Sequence, residues 1–244
     1  YACGLNDSGQ LGNGTTTNTL FPTKIGIDTN WVAITVGDSH TVALKSDGSL
    51  YAWGLNDSGQ LGDGTTTNSL SPTQIGSDTN WVSVAAGDSH SAALKSDGSL
   101  YAWGLNDFGQ LGDGTTTDTL DPTKIGDDPN WVSVAAGADH TIAKQSNGSL
   151  WTLGFNNSGQ LGDGTTTNSL SPVQIDTVTD WVSVVTSHYH TAALKSNGTL
   201  WTWGYNNYGQ LGNGTTTNSL SPILIGSATD WASVIASNYH TVAL

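Results

Sequence analysis

An all-β fold, a closed five-bladed β-propeller with four antiparallel strands per blade, is predicted by three observations. A stretch typified by Tyr101–Thr117 returns five times, starting at Tyr1, Tyr51, Tyr101, Trp151 and Trp201, with a period of fifty residues and no insertion. Repeats of that length mark stacked or ring-closed supersecondary units. The chain has 20 acidic residues, all Asp, six Lys, no Arg, no Met and 31 Gly, a balance that favours strands and turns over helices. The 244 residues also stop six short of five full periods, at Leu244, just before the turn that the other junctions carry. Trp231–Leu244 can then supply two inner strands, and Tyr1–Ile25 two outer strands, of one blade shared between the termini. Such sharing removes exposed edges. One domain, 1–244, is expected; the rival is a section of a longer repeat array.

Within one repeat the elements follow in order. Trp81–Gly87 alternates apolar and small residues and ends at Gly, a strand whose Ala85, Ala86 and Gly87 suit a crowded centre. After the link Asp88-Ser89 comes a second strand, His90–Lys95, with Ala92 and Leu94 on one face. Asp97-Gly98 predicts a two-residue hairpin loop needing positive φ. Ser99–Gly104 is the third strand. A loop dense in Asn, Asp and Gly, Leu105–Thr117, leads to a short outer strand opened by Pro122 and ending at Ile125. Four short strands in register describe a propeller blade.

The run Val-x-x-Val-Ala-Ala-Gly-x-x-His, then Asp-Gly-x-Leu-Tyr-Ala-Trp-Gly-x-Asn-x-x-Gly-Gln-Leu-Gly-x-Gly, resembles the repeat of the regulator of chromosome condensation family across the whole chain. The resemblance implies a β-propeller with blades of about fifty residues, in a bacterial-type member. The family's founding type has seven repeats, a wedge inserted in one blade for nucleotide exchange on a small GTPase, and basic chromatin-binding segments. This chain has five equal repeats and none of those additions, so neither activity carries over. Bacterial relatives include secreted proteins that inhibit β-lactamases through one propeller face, which shows what such a ring can do.

A net charge of −14 repels phosphate backbones and anionic membrane surfaces, so nucleic acid is not an expected partner. No apolar run approaches the ~18–20 residues of a membrane span. Cys3, alone, excludes an internal disulfide framework and stands where sister repeats place Trp53, Trp103 and Trp203.

Chemistry finds little purchase. Asp38-Ser39-His40 and Asp88-Ser89-His90 bring triad residue types together, but neighbours on a strand point in opposite directions and cannot form a relay. His40, His90, His140, His190 and His240 lie one blade apart, about 10 Å or more, too far to share a metal whose ligands stand at ~2.1 Å. Each is expected to bond a neighbouring loop. Asn56, Asp57 and Asp63 suit turn capping better than calcium, whose loop spacing and distal Glu are missing. No cofactor, metal or catalytic residue is expected. Trp31, Trp81, Trp131, Trp181 and Trp231 are expected to pack between blades, with sugar stacking as the alternative.

Binding is sought where the copies differ. The pair before the repeated His reads Asp38-Ser39, Asp88-Ser89, Ala138-Asp139, His188-Tyr189 and Asn238-Tyr239; the residue before Gly-Gln-Leu-Gly reads Ser8, Ser58, Phe108, Ser158 and Tyr208. Alternating strand direction brings both sets to one face. There His188, Tyr189, Tyr208 and Tyr239 gather, with Phe108 further round and Asp38 and Asp88 in the opposite sector. Amphipathic rings on a rigid scaffold suit binding. The reading is a non-enzymatic module presenting one loop face to a protein partner, monomeric, and extracellular or on a cell surface. Two alternatives stay open: a lectin-like module with repeated carbohydrate sites, and a spacer within a longer array.

Overall fold

The computed structural model describes residues 1–244 and contains strands and turns without helices. β1 (Ala2–Gly4) and β2 (Thr19–Thr23) open the chain. Four sets of four follow. The first is β3 (Trp31–Val36), β4 (His40–Lys45), β5 (Leu50–Gly54) and β6 (Ser69–Gln74). The second is β7 (Trp81–Ala86), β8 (His90–Lys95), β9 (Leu100–Gly104) and β10 (Thr119–Lys124). The third is β11 (Trp131–Ala136), β12 (His140–Gln145), β13 (Leu150–Gly154) and β14 (Ser169–Gln174). The fourth is β15 (Trp181–Thr186), β16 (His190–Lys195), β17 (Leu200–Gly204) and β18 (Ser219–Leu224). β19 (Val234–Ser237) and β20 (His240–Ala243) end it. Each set of four is one antiparallel sheet in chain order, while β1–β2 and β19–β20 are two-stranded sheets of their own. This is the all-β propeller fold. Whole blades repeat at the fifty-residue period, and a two-stranded sheet stands at each end of the chain.

The chain forms two compact units, residues 1–107 with 117–129 and residues 108–116 with 130–244. In the first, Val42, Leu44, Leu50 and Ala52 pack against Trp81, Ala86, Ala93 and Trp103 of the next sheet, all buried. In the second, Ile142 and Leu150 meet Trp181, Ala193 and Trp203, and Ala192, Leu194 and Leu200 meet Val234. Each large side chain so buried contributes about 1.5–3 kcal/mol. The recurrent indoles therefore sit between sheets: Trp81 is 5 % and Trp181 2 % exposed.

The Gly-Gln-Leu-Gly motif stitches one sheet to the next through its backbone. The Gln60 carbonyl accepts both the Ser91 hydroxyl at 2.8 Å and the Trp103 indole N–H at 3.0 Å. The Gln160 carbonyl does the same for Thr191 (3.1 Å) and Trp203 (3.0 Å). Gly62, at φ +78°, lies under that next indole; a Cβ there would meet Trp103 Nε1 at 2.7 Å. Only glycine fits.

Inside the long loop, the buried Asn56 side chain is the hub. Its Nδ2 donates to Asp63 Oδ1 (3.1 Å), the Thr65 carbonyl (3.0 Å) and the Thr67 carbonyl (3.1 Å), and its Oδ1 accepts the Leu61 N–H at 2.9 Å. Asn156 repeats the set in the second unit. These polar side chains cap their own turns, as the sequence implied.

Three local expectations change. The hairpin is not a two-residue loop: Gly98 N–H bonds the Lys95 carbonyl at 3.0 Å, Lys95 N–H bonds the Ser99 carbonyl at 3.1 Å, and only glycines have positive φ. That is a three-residue loop, a type I turn followed by a left-handed Gly. The outer strand starts earlier, at Thr119, and Pro122 falls inside the register shift between Thr119 and Thr123, where no ladder donor is needed. The repeated histidines reach a strand as well as the expected loop, for a backbone group of Asp88 in the following link bonds His40. His40 Nε2 lies 3.0 Å from Ser91 Oγ, and His190 Nε2 lies 2.8 Å from Thr241 Oγ1, each on the second strand of the following repeat.

Candidate binding face

In every blade the link between the first two strands meets the loop after the third. Leu55 N–H donates to the Ser39 carbonyl (2.8 Å), Leu105 to Ser89 (2.9 Å), Phe155 to Asp139 (2.8 Å) and Tyr205 to Tyr189 (2.9 Å). The two variable sets thus emerge side by side from a backbone that does not vary.

In the second unit these positions carry a continuous row of rings. His188 and Tyr189 have centroids 5.8 Å apart, Tyr189 and Tyr205 6.1 Å, Tyr205 and Tyr208 6.2 Å, and Tyr208 and Tyr239 5.2 Å. Every contact is edge to face, with interplanar angles from 65° to 88°, the arrangement that the ring quadrupole favours. Tyr208 is 69 % and Tyr239 55 % exposed. The row ends at a cavity of about 320 Å³ bordered by Tyr208, Gln210, Tyr239, His240, Thr241 and Trp231.

The backbone beneath is pinned. Tyr208 N–H donates to Gln210 Oε1 at 3.0 Å, and Ser187 Oγ accepts the N–H of Tyr189 (3.3 Å) and of His190 (3.1 Å). Ser187 stands where other repeats have Gly37, Gly87 and Gly137. Its hydroxyl also lies 2.6 Å from His190 Nδ1, so the ring is bonded on both nitrogens. Burial, and then the neighbouring His240, pushes the His190 imidazole down to about 4. Such a ring stays neutral and structural.

Of the residues picked out from the sequence, His188, Tyr189, Tyr208 and Tyr239 come together in one row. Phe108 pairs instead with Phe155, centroids 4.7 Å apart. Asp38 and Asp88 belong to the first unit, where the Ser39 hydroxyl donates to Asp38 at 3.3 Å. Tyr205 and Phe155 were missed. Both follow the Trp/Leu-Gly pair of the third strand, where the earlier repeats have Leu5, Leu55 and Leu105, and that change from leucine to aromatic was the available signal. No group of three or more His, Cys or Asp side chains gathers to hold a metal ion.

No curated protein matches the chain in sequence. Among solved structures it is similar to human WBSCR16 at 25 % identity and a TM-score of 0.87, over 98 % of this chain and 65 % of that one. It is similar to yeast RCC1 (Prp20), solved bound to Kap60, at 23 % identity and a TM-score of 0.85, over 96 % of this chain and 58 % of that one. Prp20p from Saccharomyces cerevisiae, described with its binding to Gsp1p and histones, matches at 22 % identity and a TM-score of 0.85, over 95 % and 60 %. The chain spans about three fifths of the length of these structures. The RCC1-like domain profile matches residues 1–244, and the chain belongs to the RCC1-like domain family.

Proposed function

We propose that the chain is a non-enzymatic protein-binding propeller module that docks its partner on the face carrying His188, Tyr189, Tyr205, Tyr208 and Tyr239. The observation that carries this reading is the row itself: five rings, each in contact with the next, at positions the framework leaves free to vary, over a backbone pinned at Tyr189, Tyr205 and Tyr208. Tyrosines bury large areas at little entropic cost and dominate binding hot spots. The similarity to Prp20, whose structures are described with the proteins Kap60, Gsp1p and histones, supports a protein partner. The burial of Trp81, Trp131 and Trp181 weighs against the carbohydrate alternative, because its repeated platform would have lain on those indoles. The Arg-free, Asp-, Ser-, Thr- and Asn-rich composition supports an extracellular or cell-surface setting.

The test is a pull-down from the native source with the wild-type chain and with Tyr189→Ala/Tyr208→Ala, run beside a glycan array. A protein captured by the wild type and lost from the variant, at unchanged circular dichroism, is the expected result. Capture indifferent to the substitutions, or glycan binding unaffected by them, would remove the face from consideration.

A further inference from the structure

Resting on that reading of the tyrosine row, we propose that the partner presents a cationic segment whose Lys or Arg side chains seat on the faces of Tyr189, Tyr205, Tyr208 and Tyr239. Three independent observations lead there. The rings stand edge to face, so the electron-rich face of one ring meets the electropositive rim of the next. Exposed ring face attracts a cation, and Tyr208 at 69 % and Tyr239 at 55 % exposure carry the most exposed surface of the row.

The scaffold already uses its rings in this way. At the hairpin ends of the blades, Lys45 Nζ lies 4.2 Å from the Tyr51 centroid and 5.0 Å from Trp31, and Lys95 Nζ lies 4.4 Å from Tyr101 and 4.6 Å from Trp81. Each of these ammonium groups also touches a carboxylate, Asp28 at 2.8 Å and Asp78 at 2.6 Å. Those seats are filled from within the chain. The tyrosine row lies at the opposite ends of the strands, in the links and loops after Thr186 and Gly204.

The field has the matching sign. Twenty Asp face six Lys, and Lys45, Lys95 and Lys195 are committed to Asp28, Asp78 and Asp180 within 3.1 Å. The net charge of −14 draws cationic segments toward the surface and repels acidic ones. A neutral sugar gains nothing from that field.

The experiment measures fluorescence anisotropy of fluorescein-labelled Gly-Arg, Gly-Lys, Gly-Ser and Gly-Asp repeat peptides at low and high salt. The proteins are the wild type, Tyr189→Phe/Tyr208→Phe and Tyr189→Leu/Tyr208→Leu, the last keeping net charge and apolar character but losing the ring. Expected are binding of the two cationic peptides only, Phe-variant affinity within about twofold, and about tenfold weaker binding by the Leu variant. Equal binding by the Leu variant would mean that the field alone attracts the peptide, and would overturn the seat. So would silence from both cationic peptides. The two readings separate in a competition arm. A captured partner that needs Tyr189 and Tyr208 but is not displaced by the Gly-Arg peptide overturns the cationic class and leaves the face standing. A partner indifferent to both tyrosines overturns the face.

Discussion

Lys195 places its ammonium 4.5 Å from Trp181, 4.7 Å from Trp201 and 3.1 Å from Asp180. Lys45 and Lys95 make the same clamp, and the hydrogen bond to Asp28 holds the Lys45 ammonium above its ordinary range. The third blade has the rings without the cation. Trp131 and Trp151 meet at 6.1 Å and 84°, but position 145 is Gln, whose Oε1 accepts from the Ser149 hydroxyl at 3.2 Å. Gln145→Lys should restore the clamp and raise stability by about 0.5–1 kcal/mol, read as a rise of a few degrees in Tm on thermal unfolding. Lys195→Gln should lower it by a similar amount, and equal Tm values for all three proteins would show the clamp to be neutral. The loop hub predicts a larger loss. Asn156→Ala removes a fully buried side chain that bonds Asp163, Thr165, Thr167 and Leu161, and leaves the buried Leu161 N–H and the Thr165 and Thr167 carbonyls without that partner. A cost of about 2–4 kcal/mol in urea unfolding is expected. A loss under half that would mean water replaces the side chain.

Between elements, the histidine bonds make adjacent sheets sensitive to acid. Burial, and then His90, pushes His40 down to about 3, and His190 is held at about 4. Both lie below the ordinary value of 6.5 that the unfolded chain keeps. The folded state therefore binds fewer protons. The stabilisation is complete above pH 6.5 and is lost as pH falls from there toward 4 and 3, by up to about 1.4 kcal/mol per pH unit for each ring. Asp47 and Asp97, held low by bonds from Ser49 and Ser99, add their loss only deeper in the carboxylate range. Urea midpoints at pH 7 and pH 5 should differ for the wild type, and His190→Gln should narrow the difference; identical midpoints would show that these rings do not report the pH. At this scale the sequence was most legible. The period placed whole blades, and strand starts at Trp81 and His90 fall where the alternation put them. The hydroxyl that the histidine meets on the next sheet was not legible, because it depends on register between separate sheets, with the partner fifty-one residues away. The hairpin type was missed because Asp-Gly suits both a two- and a three-residue loop. At the candidate face, Tyr189, Tyr208 and Tyr239 stood out as departures in polar loops, whereas Tyr205 and Phe155 replace leucine and so read as ordinary apolar positions.

For the whole molecule, charge is the dominant long-range property. Its pI of about 4.2 places the least soluble condition in the same acid range that weakens the histidine bonds, so acid exposure should bring aggregation rather than clean unfolding. Light scattering across that range, with and without salt, checks this; a solution that stays clear at pH 4 would refute it. The stitch at the Gln60 carbonyl has a wider consequence. Its partners, a Ser or Thr hydroxyl and a Trp indole, sit thirty-one and forty-three residues further along, and Gln160 meets Thr191 and Trp203 at the same offsets. A gene segment encoding one complete period can therefore be lost or duplicated without creating a junction of a new kind. Recombination between sister copies would leave every such seam chemically familiar.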